Sequence, residues 1–218
     1  MKVLVCDVCG TLYDSNTTFD FLDYYFKDNK KYIFYRKLTK TFPIKLITYP
    51  FYKYLKYDIV RYAMTQFLKN ENYLMVDKKA EEFVYNILSS KIKREIIKIL
   101  EEYRNKNYKI ILMSGSYDFI VKHVSNYFDT DAFFASQLEE KNETYTGFYA
   151  FDNLHSKKDV LKNNYAVIDE LIVISDNLTD LELFLIANKS FAICNKSKQI
   201  KYWKNKKIDN MELVKCTN

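Results

Sequence analysis

The chain has 218 residues, 48% of them apolar and 17% aromatic, and a formal charge of +6. That length supports one core domain with a modest insertion, and the apolar share is enough to bury a core. Only four apolar residues separate Lys2 from Asp7, too few for a signal peptide, and lysines interrupt even TFPIKLITYPFY, so no stretch reads as a membrane span. The expectation is a soluble cytoplasmic protein.

In chain order, KVLVCD (2–7) is a short, continuous apolar run of β-branched character, the pattern of a buried parallel strand. Residues 15–88 then read as several helices, broken near Pro43 and Pro50 and without a convincing buried strand. KIKREIIKILEEYR places Ile92, Ile96, Ile99 and Tyr103 on one helical stripe. YKIILMS (108–114) is a second buried strand. ASQLEEKNETYTGFYAF (135–151) suggests a hairpin with Gly147 at a tight position, followed by the helix start HSKKDVLKNNY. LIVIS (171–175) and FAIC (191–194) complete the strand set. Strands alternating with amphipathic helices predict an α/β fold, a doubly wound parallel sheet with helices on both faces.

Cys6 and Cys9 form a CxxC around Asp7, while Cys194 and Cys216 are lone and distant. A redox CxxC works at a helix N-terminus, where the dipole lowers a thiol pKa, whereas Cys6 falls inside a predicted strand and reads as a small buried hydrophobe. No second CxxC completes a zinc site. His123 and His155, the two histidines, have no partner at metal spacing and receive no catalytic role.

Ligands of open α/β sheets bind outside the carboxyl ends of the strands. The first strand ends in Asp7, the second in Ser114-Gly115-Ser116, the third in Ser175-Asp176 with Asp180 four residues on; Lys157 and Lys158 precede a helix. DVCGTL, the serine of ILMSGS, a lysine of HSKKDVL and the acids of SDNLTD therefore stand in order at strand ends. This set resembles the haloacid dehalogenase (HAD) superfamily, specifically its phosphoserine-phosphatase-like branch, which inserts a helical C1-type cap after the first strand. The resemblance implies a Rossmann-like core of residues 1–14 and 89–218 with a cap of residues 15–88.

It also implies roles. Asp7 attacks phosphorus and forms an aspartyl phosphate, splitting one difficult displacement into two. Mg²⁺ is held by Asp7, the backbone carbonyl of Cys9, Asp176 and Asp180. Thr11 and Ser114 serve the phosphate or the nucleophile's loop, Gly115 fits a tight turn beside the phosphate, and Lys157 offsets the charge of Asp7 and phosphate. Lys157 fits the family spacing to Leu161 better than Lys158, which stays an alternative. The substrate implied is a small phosphomonoester.

Cys9 departs from the pattern, because phosphatases of this family carry an aspartate there that protonates the leaving group and activates water. The carbonyl survives the change and the carboxyl does not; loss of a positioned acid typically costs about 10²- to 10⁴-fold. Three readings follow: a phosphatase or phosphotransferase that is slow or limited to good leaving groups, a catalytically weakened phosphate-binding or partner-binding protein, and a dehalogenase-like hydrolase. The last class also lacks the second aspartate but works without metal.

Residues 17–70 hold eleven Lys or Arg against four Asp or Glu, so the basic excess lies in the predicted cap. Tyrosines alternate with lysines there. No RNA-binding signature accompanies the charge; contact with an acidic substrate or an anionic membrane surface is the expectation to weigh against a plain helical bundle with a solvated basic face.

Overall fold

The computed structural model describes residues 1–216. Strand β1 (Lys2–Cys6) opens the chain and is followed by five helices: α1 (Thr17–Tyr25), α2 (Lys30–Thr39), α3 (Phe42–Leu55), α4 (Ile59–Thr65) and α5 (Tyr73–Asn86). The alternating part comes next: α6 (Arg94–Asn105), β2 (Lys109–Tyr117), α7 (Asp118–Phe128), β3 (Ala132–Lys141), β4 (Thr144–Phe151), α8 (Lys157–Asn164), β5 (Glu170–Ser175), α9 (Leu181–Phe184), β6 (Lys189–Ile193), α10 (Ser197–Lys206) and β7 (Met211–Val214). One seven-stranded sheet runs β4-β3-β2-β1-β5-β6-β7, and every pairing is parallel except β3 with β4. This is the doubly wound α/β fold expected from the strand and helix pattern.

Period-two alternation places the two faces of the sheet in different layers. Leu4 and Cys6 of β1 join the cluster containing Phe83, Ile96 and Val124, whereas Val3 and Val5 join Leu161, Phe184 and Trp203 on the other face. Cys6 is therefore a buried core residue, as its place in a strand predicts, and all four cysteines are free thiols.

The helices between β1 and β2 do not form a core of their own. Phe21, Phe26, Tyr32, Met64 and Phe83 belong to the same buried cluster as Leu4, Leu112 and Ile174 of the sheet. Backbone bonds strengthen the join: Asn70 and Tyr73 donate to Tyr145 and Glu143, and Tyr145 donates back to Glu71. Helix starts follow local chemistry, with Asn16, Asn29, Asp58 and Asn72 accepting from backbone N–H groups of α1, α2, α4 and α5.

One local expectation is corrected here. Helix α3 continues through Pro50, which with Leu46 lies on an exposed side where the unpaired carbonyl is open to solvent; Pro43 sits in the first turn, whose N–H groups have no helical partner anyway. The expected hairpin is present as β3 and β4; its turn is made by Asn142 and Glu143, both at positive φ, and Gly147 holds a tight position within β4, at φ +86, where a Cβ would come 3.2 Å from Gln66 and Lys69. The edge strand β7 was not foreseen, since MELV is too short to show a period.

Trp203 of α10 is fully buried and stacks on Phe184 with ring centroids 4.4 Å apart. Trp203→Ala is expected to lower unfolding free energy by about 3–5 kcal/mol in urea titration.

Candidate active site

Sheet register brings the separated motifs to one level. Cys6 is paired with Leu112 on one side and Ile174 on the other, so Asp7, Met113 and Ser175 stand one residue beyond the pairs, and Ser114 and Asp176 two beyond. The chain builds outward from β1 in both directions, through β2 and β3 to one side and β5 and β6 to the other. The crevice at the β1/β5 switch is where such sheets place their ligands. A cavity of about 1250 Å³ opens there, lined by Asp7, Cys9, Gly115, Lys157, Asp176 and Asp180 among others.

Asp7 is buried, and its backbone N–H is fixed to Ile174. Lys157 Nζ donates to Asp7 Oδ1 and to Asp180 Oδ2, both at 2.7 Å, with all three side chains almost fully excluded from water. Burial alone would lower the Lys157 pKa, but Asp180 and Asp7 more than reverse that, and the ammonium stays charged. Lys158 instead meets Glu182 at the surface. Of the two candidate lysines, Lys157 is the one inside the site.

Burial pushes the Asp7 carboxyl up; Lys157 opposes this, and the like charges of Asp180 and Asp176 add to it. Asp176 is likewise raised by burial, against the hydrogen bond from Thr11 and the charge of Lys93. The Thr11 hydroxyl lies 3.1 Å from Asp7 Oδ2 and 3.1 Å from Asp176 Oδ1. It has one proton and two carboxylates to serve. A buried Asp7 oxygen and a half-buried Asp176 oxygen facing one hydroxyl form a donor set suited to a hard cation. Among the described residues no three side chains of the His, Cys, Asp and Glu type gather as a complete metal cage. A magnesium site does not need one, because that ion keeps waters and takes substrate oxygens.

Asp180 is placed differently from Asp176. Its Oδ2 accepts from both Lys157 and Ser175 Oγ, the latter at 2.6 Å, so it anchors the lysine from behind. Gly10 has φ +72, and a Cβ there would lie 2.6 Å from Asp176 Oδ2; glycine lets the loop pass against that carboxylate. Gly115 is not in a turn as expected but inside β2, where a Cβ would meet Leu154 Cδ1 at 2.8 Å. Ser114 is buried and its Oγ accepts from Ser116 N.

Cys9 lies at the cavity wall with its Sγ 2.6 Å from Thr17 Oγ1 and 3.9 Å from Ser114 Oγ. Burial and the Asp7 charge push its thiol pKa up, so it remains protonated near neutral pH. It can donate a proton and is a poor base.

Several residues around the site carried no sequence motif. Lys93 is buried and donates to the Gly10 carbonyl and to Asn195 Oδ1; Asn195 and Gln199 donate to Asp176. Arg61 of α4 donates to the Gly115 carbonyl at 2.6 Å and pairs with Asp152. His155 lines the cavity with its ring 6.1 Å from that of Tyr52, whereas His123 is spent on Asp77. Only Asn195, just past the FAIC strand, could have been inferred from its position at a strand end.

With this geometry in hand, similarity to known proteins is informative. The haloacid dehalogenase-like hydrolase family matches residues 4–185, most of the chain. The chain belongs to that family. A Bordetella pertussis Tohama I protein of unknown function shares 13% identity over 98% of this chain and 97% of its own, with a TM-score of 0.76. A phosphoserine phosphatase holding a phospho-aspartyl intermediate analogue shares 18% over 92% and 90%, TM-score 0.63. A phosphoserine phosphohydrolase-like protein from Francisella tularensis subsp. tularensis SCHU S4 shares 17% over 97% and 95%, TM-score 0.64. At these identities the structural likeness establishes the fold. No curated protein matches the sequence.

Lys157→Met leaves two carboxylates buried without their cation and is expected to cost about 3–5 kcal/mol of unfolding free energy. Lys158→Met, at the surface, is expected to leave the midpoint of the same urea titration essentially unchanged.

Proposed function

We propose that this HAD-family hydrolase is a Mg²⁺-dependent phosphatase acting on a small phosphomonoester through an aspartyl-phosphate intermediate on Asp7. The observation that carries the reading is the buried Asp7, fixed by Lys157 on one oxygen and facing Asp176 across the Thr11 hydroxyl with the other. The phosphoserine phosphatases among the structural neighbours support the same reaction class. The facing carboxylates also favour a cation-using reaction over the metal-free dehalogenase chemistry.

In this mechanism Lys157 favours the ionised form of Asp7 and orients it, and it offsets the negative charge that substrate phosphate adds. One Asp7 carboxylate oxygen forms the bond to phosphorus as the substrate's alkoxide leaves, and the other stays on the cation side of the site. Cys9, which stands in the family's acid position and lines the cavity, can supply that alkoxide with a proton. Water then displaces Asp7 from phosphorus and releases phosphate. Asp7, Asp176 and the Cys9 carbonyl would hold Mg²⁺, which supplies Lewis-acid polarisation of the phosphoryl oxygens. Asp180 positions Lys157, and residues 15–88 act as the cap that selects substrate, contributing Tyr49, Tyr52, Lys56 and Arg61 to the cavity wall.

The weak point of the machinery is Cys9. Its thiol is engaged by Thr17 and resists ionisation, so activation of water is the step expected to limit turnover.

The test is phosphate release from a panel of phosphomonoesters with Mg²⁺. Activity is expected to vanish with chelator and in Asp7→Asn, while Cys9→Asp is expected to raise turnover on poor leaving groups by about 10²-fold or more. Release that survives Asp7→Asn rejects the nucleophile. No gain in Cys9→Asp means that Cys9 is more than a lost acid.

A further inference from the structure

Helix α3 is built the wrong way round for a soluble protein. None of its described side chains is fully buried, and at 100° per residue Phe42, Pro43, Leu46, Ile47, Pro50 and Tyr54 share an outward arc of about 140°. Phe42 is 76% exposed, Leu46 64%, Ile47 61% and Tyr54 74%. The inward face holds Ile44, Thr48 and Tyr52, all only half-buried. Phe34 and Leu38 of the preceding helix are exposed as well, with the Phe34 ring 5.6 Å from that of Tyr35. Single exposed apolar residues are ordinary, whereas a run of them on consecutive helical turns marks an interaction surface.

The charge around this surface is mostly positive, although Asp23 of α1 pairs with Arg36 and lies 3.9 Å from Lys40. Residues 29–57 contain eight Lys or Arg and no Asp or Glu. Lys30, Lys31, Lys37, Lys40, Lys53 and Lys56 are exposed, and the Lys53 ammonium lies 5.0 Å from the Tyr54 ring centroid. A second copy of this chain would bring the same cations against them, so self-association through this face is opposed. An anionic surface that also accepts apolar side chains is the complementary partner.

We propose that the outward faces of α2 and α3 dock the protein on an anionic lipid bilayer, with α3 lying in the interface. At 14 residues α3 is shorter than the roughly 20 a membrane-spanning helix needs, and no described helix is long and apolar enough to cross. An interfacial helix instead buries one apolar face at the headgroup boundary, held by aromatic residues and lysines at that level. The inward-facing Tyr52 of α3 lines the catalytic cavity, together with Tyr49, Lys53 and, just past the helix, Lys56. Docking would hold the cavity mouth beside the bilayer. The proposal rests on exposure and charge and does not depend on the phosphatase reading.

Flotation of the full chain with vesicles tests it. Phosphatidylcholine vesicles containing phosphatidylglycerol are expected to carry the protein upward at low salt, phosphatidylcholine alone is not, and about 0.5 M NaCl is expected to weaken the binding. The combined Phe42→Ser, Leu46→Ser and Tyr54→Ser variant should lose at least about tenfold in partitioning with an unchanged melting temperature. Neutralising Lys30, Lys37 and Lys40 to Gln should cost about fivefold each, a readout that leaves the apolar face intact. No flotation with phosphatidylglycerol at low salt overturns the proposal. So does flotation that neither set of variants alters, or a solution dimer that the Ser variant dissociates.

Discussion

Lys157 sits between two buried carboxylates, and the arrangement of the site follows from that placement. An ammonium removed from water needs its charge matched, and Asp7 and Asp180 do so at 2.7 Å each. The same contacts fix one Asp7 oxygen and leave the other facing Thr11 and Asp176. Asp176 then remains as negative charge without an ammonium of its own in hydrogen-bond contact. One crevice thus combines a held nucleophile with an unmet demand for cation charge.

Sheet register makes this convergence possible. Asp7, Ser114, Lys157 and Asp176 are spread over 170 positions, yet parallel pairing of β1 with β2 and β5 ends the strands in one layer. The surrounding polar groups lock that layer. Ser175 and Lys157 meet on Asp180, and Lys93 and Asn195 meet on the Gly10 carbonyl. The helices of residues 17–86 share the sheet's buried cluster, so the cavity wall they provide is continuous with the core. Only α3 stands apart from that packing, and it carries the exposed apolar face.

The buried strands were legible because each is a short apolar run closed by a polar residue, and the motif residues fall at those closures. Position in the fold then distinguished Lys157 from Lys158, a choice that sequence spacing alone favoured without deciding. Other features lay beyond the sequence for physical reasons. Asp180 and Asp176 look alike in SDNLTD, and only their hydrogen bonds separate a lysine anchor from a carboxylate facing the nucleophile. Gly115 reads as a turn residue, but its absent side chain is required by Leu154, a neighbour 39 residues away. Lys93 and Arg61 belong to helical stretches where charged residues are common, and their burial is a tertiary property. Pro50 misled because the cost of a proline in a helix is smaller where water can replace the missing donor.

The central claim is that Asp7 itself takes the phosphoryl group. The most direct measurement is mass spectrometry of peptides from enzyme quenched in acid during turnover of a phosphomonoester with Mg²⁺. The account predicts a phosphoryl group on the peptide containing Asp7, absent in Asp7→Asn and removed by hydroxylamine as an acyl phosphate should be. Turnover with the phosphoryl group on another residue would contradict it.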